Sequence, residues 1–289
     1  MRKILITGAT GNLGRATIER LLQMLPPDQI VGFGRRENGN KDLADKIEMK
    51  YGDFDDATSV DRAMEGIGKV LLISTVDHHR YQQHRNVIDA AKRAGAAHIS
   101  YTSVAMRDVQ TSLVKSHLES HIQTEDYIKG SGLSYNIFRN SLYTDVIPVY
   151  AGQQVFEKGI YLPAGDGKVA FASRSEMGEG IANAMIQEGD ENKIYHLTGP
   201  ALYSFSDVAR TLSEISHKPV PFVDADPEAF PDKLRNLGVP ERMIGIISGF
   251  TGDIRNKQYE IQSNNLQQLL GRRPLRLEQA LALIYGRQT

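Results

Sequence analysis

Three glycines at equal spacing, Gly8, Gly11 and Gly14, punctuate Thr7-Gly8-Ala9-Thr10-Gly11-Asn12-Leu13-Gly14, directly after the apolar run Ile4-Leu5-Ile6. Each glycine has its own task in such a turn. Gly8 lets the chain turn with φ > 0, Gly11 lets backbone approach a pyrophosphate, and Gly14 lets the next helix pack closely on the strand. Thr10, Asn12 and Leu13 stand between them. The helix expected over 13–25 then points its free N–H groups and positive dipole end at the same anion. The spacing reads G-x-x-G-x-x-G, not the G-x-G-x-x-G of the common dehydrogenase fingerprint. Small residues also make ordinary tight turns. The β-type run before and the amphipathic helix after make this one a dinucleotide site.

A second set of candidates follows the second apolar run. Dinucleotide sites that select NAD place Asp or Glu there, bonded to the ribose 2′-OH. Here the position reads Gly34-Arg35-Arg36, with Glu37 only later. Guanidinium groups form paired, charge-assisted bonds with a 2′-phosphate that a carboxylate would repel. Arg35 and Arg36 therefore favour NADP(H), with NAD(H) as the lesser partner; two solvated arginines are the alternative. Asp53 and Phe54 follow the third run and suit an adenine amino group and ring face. Ser74 and Thr75 end the fourth and suit the adenosine ribose and phosphate. Asp, Ser and Thr are also ordinary turn and cap residues, so position at strand ends is their main merit.

Strand-like runs at 3–7, 29–34, 47–51, 69–74, 98–102 and 134–139 alternate with helical periodicity near 13–25, 55–65, 80–94 and 115–130. Such alternation predicts an α/β fold, a doubly wound parallel Rossmann sheet with ligands at the carboxyl ends of its strands. After about residue 150 the alternation fades. Loops over 151–167 precede a helix at 176–188, a strand at 193–198, a helix at 205–217 and a short strand at 220–223. Helices near 227–236, 240–249 and 277–285 follow. The expected organisation is a dinucleotide-binding domain over 1–150 and a smaller α/β substrate or capping lobe over 151–289, some of whose segments can return to the sheet.

Composition narrows the classes. The formal net charge is −1, with no basic block, which argues against direct nucleic-acid binding. There is no cysteine, so disulfides, thiolate metal sites and cysteine nucleophiles are excluded, and a reducing cytoplasm fits. No apolar stretch approaches the roughly 20 residues of a membrane span. Met1-Arg2-Lys3 runs straight into the first strand, leaving no room for a cleaved signal. A soluble cytoplasmic protein without a membrane role is expected.

With these pieces in place, the chain resembles the atypical short-chain dehydrogenase/reductases of the NmrA-like group, especially their bacterial quinone oxidoreductase and triphenylmethane reductase types. The resemblance rests on the glycine turn, Leu71-Leu72-Ile73-Ser74, Gln83-His84-Arg85-Asn86-Val87-Ile88-Asp89-Ala90-Ala91, Tyr101-Thr102-Ser103, His121-Ile122-Gln123-Thr124-Glu125 and Arg139-Asn140. Ala164-Gly165-Asp166-Gly167-Lys168 and Tyr195-His196-Leu197-Thr198-Gly199 carry it through the second half.

The wider superfamily works with Tyr-x-x-x-Lys on the helix after the fifth strand. The phenol donates a proton and the ammonium lowers its pKa. None of the 12 tyrosines here has Lys four residues on. Aligning Thr124-Glu125 with the acidic position after that pair puts His117 and His121 where Tyr and Lys would stand. His121 is then a candidate for the nicotinamide ribose and His117 for a proton relay, unless both merely line a polar helix. Residues i and i+4 share a helix face, but the order His-Glu-x-x-His is absent and no metal is expected. His78, His79 and His84 read as decoration of a solvated helix start. Asn140 and Tyr143 are expected on the nicotinamide side and against the acceptor. Tyr101, Thr102 and Ser103 are expected to border the cofactor, with Ser103 orienting a substrate oxygen or capping a turn.

Quinone or extended-dye reduction needs less acid–base help than alcohol oxidation, because the acceptor delocalises charge. The expectation is therefore an NADPH-dependent reductase passing hydride to a quinone or conjugated dye-like compound, without flavin or metal. A non-enzymatic NADP(H) sensor of the NmrA-like type is the alternative. A homodimer is compatible with either.

Overall fold

The computed structural model describes residues 2–35, 41–187, 189 and 191–286. The first half runs β1 (Lys3–Thr7), α1 (Asn12–Leu21), β2 (Ile30–Gly34), α2 (Lys41–Ala44), β3 (Glu48–Tyr51), α3 (Ala57–Met64), β4 (Ile67–Leu72), α4 (Arg80–Arg93), β5 (His98–Val104), α5 (Lys115–Lys129) and β6 (Ser134–Asn140). The second half continues with α6 (Ile147–Ala151), α7 (Val155–Lys158), β7 (Ile160–Leu162), α8 (Arg174–Ile186), β8 (Lys193–Leu197), α9 (Phe205–Ser216) and β9 (Phe222–Asp224). It closes with α10 (Phe230–Asn236), α11 (Glu241–Arg255), α12 (Asn265–Leu270) and α13 (Leu277–Tyr285).

Seven strands form one parallel sheet in the order β3-β2-β1-β4-β5-β6-β8. The order reverses beside β1, between β2 and β4, which creates the crevice where open α/β sheets take their ligands. The strands are apolar on both sides because both faces are covered. On one face, Ile4, Ile6 and Leu71 pack with Leu13, Ile18 and Leu21 of α1 and with Met177 and Ile181 of α8. On the other, Leu5, Val31, Val70 and Ile99 pack with Val60 and Met64 of α3 and Val87 and Ile88 of α4. A third core, around Val114, Ile147, Leu162, Phe171, Phe205, Phe230 and Tyr259, belongs mainly to the second half, with β7 and β9 pairing in a small sheet of their own.

Several boundaries differ from expectation. Helix α1 stops at Leu21 rather than reaching 25; beyond it the chain tightens into i−3 bonds, from the Gln23 N–H to the Arg20 carbonyl and from the Met24 N–H to the Leu21 carbonyl. Strand β4 covers Ile67–Leu72, two residues earlier than expected. Gly66, at φ +77°, closes the preceding turn, so pairing with β1 already begins at Ile67. Strand β7 and helix α12 were not anticipated. Helix α11 continues well beyond 249 because its glycines are packing residues. A Cβ on Gly249 would lie 2.3 Å from Val114 Cγ1, and one on Gly252 would lie 2.5 Å from Leu113 Cδ1.

No helix among the described residues is long and apolar enough to cross a membrane.

Candidate functional site

The glycine turn lies at the carboxyl end of β1 and has the geometry its residue types demand. Gly8 adopts φ +59°, a conformation costly for any residue with a Cβ. The Gly11 N–H donates to the Gly8 carbonyl at 3.0 Å, tightening the turn. A Cβ on Gly14 would sit 2.3 Å from the Gly8 oxygen and 2.9 Å from Ala9 Cα, so only glycine allows α1 to start this close to β1. Gly11 caps α1 with extended backbone and no side-chain hydrogen bond, leaving the first amides of the helix for a ligand.

A cavity of about 460 Å³ opens over this turn. Gly8, Thr10 and Gly11 form one wall, and Arg35, Asp53, Phe54, Ser74 and Thr75 are among the other lining residues. These sequence candidates are thus brought together across four strand ends. Arg36 and Glu37 lie outside the described residues. Asn12 stands exposed at the first turn of α1. The Leu13 and Gly14 positions are buried beneath it, so what Leu13 can offer a ligand is its N–H. Phe33 and Phe54 stack with centroids 5.6 Å apart and planes 5° from parallel, giving the far end an aromatic wall. Asp53 closes an Asx turn, its Oδ1 accepting from the Asp55 N–H at 3.0 Å. The cavity falls in the usual size range for ligand pockets and combines free amides, a cation and an aromatic face. The residues present therefore fit an anionic dinucleotide.

Below the cavity floor, each loop is fastened to the sheet by a buried polar side chain. Thr7 Oγ1 accepts the Ile73 N–H, and Thr102 Oγ1 accepts the Ser74 N–H, both at 2.9 Å. Thr102 is thus a brace behind Ser74 and is absent from the lining. Thr75 is held through Gln83, whose Oε1 accepts its hydroxyl at 2.9 Å while its Nε2 donates to Asp55 at 3.0 Å.

His84, expected on a solvated surface, is fully buried beneath this loop, whereas His78 and His79 are exposed. The helix that carries it buries one face against β4 and β5. The Thr75 N–H donates to His84 Nε2 at 3.4 Å, so the ring proton belongs on Nδ1, which faces Thr124 Oγ1 at 3.0 Å. Thr124 passes its own proton to the Ser120 carbonyl at 2.7 Å. Burial, with nearby Arg80 adding to it, pushes the His84 pKa down to about 3.

The catalytic candidates are distributed differently. Tyr101 is completely buried, and its hydroxyl meets His121 Nδ1 at 2.8 Å. Burial raises the tyrosine pKa and holds His121 well below the ordinary histidine value, so this pair is neutral. Neither residue lines the cavity. Ser103 points the same way, its Oγ donating to Glu125 Oε1 at 2.6 Å. Arg139 grips both oxygens of that buried carboxylate, at 3.0 and 2.6 Å. Asn140 ends β6, and its Nδ2 donates to Tyr143 Oη at 3.1 Å while its buried Oδ1 has no partner among the described residues. The Arg174 guanidinium covers the Tyr143 ring, 4.2 Å from its centroid. Asn140 and Tyr143 are therefore brought to each other, and neither is among the residues lining this cavity.

The cavity also takes Phe33, Gly34, Val76, Asp77 and Gln83, which reading the sequence did not single out for this role. Their signal was proximity to strand ends alone. Among the described residues, no group of three or more His, Asp or Glu is placed to hold a metal ion.

Comparison with known proteins agrees with this geometry. Residues 8–185 match the family model described as NAD(P)H-binding. The chain is 30% identical over 286 residues to quinone oxidoreductase 2 of Escherichia coli, covering 98% of this chain and 99% of that protein. Its structure is similar to that of the Escherichia coli NADPH-dependent quinone oxidoreductase in complex with NADPH. The TM-score is 0.91 at 31% identity, over 98% of this chain and 99% of the other. It is also similar to the triphenylmethane reductase of Citrobacter sp., with a TM-score of 0.90 at 32% identity, over 97% and 98% of the two chains.

Proposed function

The chain belongs to the NAD(P)H-binding, NmrA-like oxidoreductases, and from that premise we propose that it is a cytoplasmic NADPH-dependent reductase of quinones or similar conjugated acceptors. The observation that carries the reading is the cavity over Gly8, Thr10 and Gly11 with Arg35 on its wall. When bound, NADPH supplies the hydride and its two electrons.

In this reading the turn amides and the uncapped start of α1 hold the pyrophosphate. Arg35 pairs with the 2′-phosphate, at a strand end where an NAD enzyme places a carboxylate. Phe54 and Asp53 take the adenine, and Ser74 and Thr75 take the ribose side, steadied by Thr102 and His84. Asn140 and Tyr143 orient the acceptor from the end of β6. Positioning of the acceptor against the cofactor then supplies most of the catalysis. No tyrosine acid is needed, because a quinone spreads the incoming charge.

Steady-state oxidation of NADPH with a panel of quinones and conjugated dyes tests this. Turnover that depends on acceptor, and prefers NADPH to NADH, is expected. Tight binding of both oxidised and reduced cofactor with no turnover on any acceptor would refute the reading in favour of a sensor.

A further inference from the structure

Arg80, at the start of α4, is 3% exposed, yet no salt bridge joins it to a carboxylate among the described residues. Its bonds go to neutral groups. Nε donates to the carbonyl of Thr75, a residue of the cavity wall. Nη1 donates to the His117 carbonyl at 2.8 Å and to Ser120 Oγ at 3.2 Å, both on α5. Nη2 faces the His117 ring at Nε2, 3.5 Å away. Asp77 lies close enough to act on its charge but is not bonded to it, and a buried cation bonded to no carboxylate is costly, which marks Arg80 as a functional-site candidate.

The orientation of the His117 ring follows from Arg80. A guanidinium has only donors, so Nε2 must accept and a neutral ring carries its single proton on Nδ1. The ring is half-buried and stands edge-on to Phe250 of α11, with centroids 6.4 Å apart and planes at 81°. Burial lowers the His117 pKa, and Arg80 from α4, Arg242 from α11 and His78 from the loop before α4 lower it further. The ring is therefore neutral at pH 7 and still able to donate. Thr75 and His117 hang on one guanidinium, so the donor keeps a fixed place relative to the cofactor wall.

Building on the reductase reading, we infer that His117, held by Arg80, gives its Nδ1–H as a hydrogen bond to the carbonyl oxygen of the acceptor, in place of the missing tyrosine. The acceptor class follows from the charge. Arg80 favours a neutral quinone, whose oxygen becomes negative on reduction, and disfavours a cationic triphenylmethane dye, which has no such oxygen. The imidazole keeps its proton throughout. Quinone, NADPH and one proton from water yield hydroquinone and NADP⁺, so electrons and atoms balance without a further reductant.

The test has two arms. Nitrogen-15 NMR of the histidine rings in the unmodified protein, without cofactor, reads the tautomer directly. A His117 signal with the proton on Nδ1 at neutral pH is expected, and a proton on Nε2 or a charged ring overturns the inference on its own. In the second arm, H117F is compared with the unmodified protein on a naphthoquinone and a cationic triphenylmethane dye. Loss of one such donor costs about 100-fold, so the quinone-to-dye ratio of kcat/KM should fall by about that factor. An unchanged ratio overturns the inference. Absence of quinone turnover in the unmodified protein overturns the reductase reading instead, and the inference with it.

Discussion

Acid should unfold this protein partly through one buried histidine. His84 is neutral inside the fold, with a pKa of about 3, against an ordinary value of 6.5. Below about pH 6.5 the unfolded chain binds a proton that the folded chain refuses, so stability falls with pH until about pH 3. The slope approaches about 1.36 kcal/mol per pH unit. At about pH 4.5, two units into that window, His84 alone has removed about 3 kcal/mol relative to neutral pH.

The perturbation that isolates this is His84→Leu. It leaves the Thr75 amide and Thr124 without their imidazole partner and should cost about 1–3 kcal/mol at neutral pH. It also deletes the titration, so the variant's stability should decline less steeply in acid. His98, which burial pushes down to about 4, titrates in both proteins and cancels in the difference. Urea unfolding of the two proteins at about pH 7.5 and pH 4.5 reads the effect, with a difference in acid loss of about 3 kcal/mol expected. Equal losses in the two proteins would refute the burial and tautomer argument for His84.

Two further substitutions probe the cofactor seat. Gly14→Ala drives a Cβ to 2.3 Å from the Gly8 carbonyl. It should cost about 1–3 kcal/mol, or more, and weaken NADPH binding, as thermal unfolding with and without NADPH would show. Arg35→Glu places a carboxylate against the 2′-phosphate. The ratio of NADPH to NADH in kcat/KM should fall at least about tenfold, since a charge-assisted bond of about 1.5–3 kcal/mol is lost; an unchanged ratio would remove Arg35 from the site.

The cofactor seat was legible because its requirements are local. A positive φ at Gly8, no room for a Cβ at Gly14 and the absence of a carboxylate after β2 are all written within a few residues of the turn. The parallel sheet was legible for the same reason, through apolar runs and helical spacing. His84 was not. It sits among Gln, Arg and Asn on a helix whose polarity conceals a buried stripe, and only the packing of α4 on β4 and β5 shows which face turns inward. The i, i+4 relation of His117 and His121 predicted one shared face. It could not say that His121 would meet Tyr101 while His117 met Arg80 and Phe250. The full reach of α11 was hidden too, since the packing of Val114 and Leu113 against Gly249 and Gly252 joins residues far apart in the chain.

The central claim is that hydride passes directly from NADPH, seated over Gly8–Gly14, to a conjugated acceptor. A single turnover with NADPH deuterated at the transferring nicotinamide C4 position, mixed anaerobically with a naphthoquinone and flavin-free protein, tests it most directly. One NADPH should be consumed per quinone reduced, slowed by a primary isotope effect of about twofold or more in the chemical step. Cofactor that binds but stays reduced, or is oxidised only when flavin is added, would contradict it.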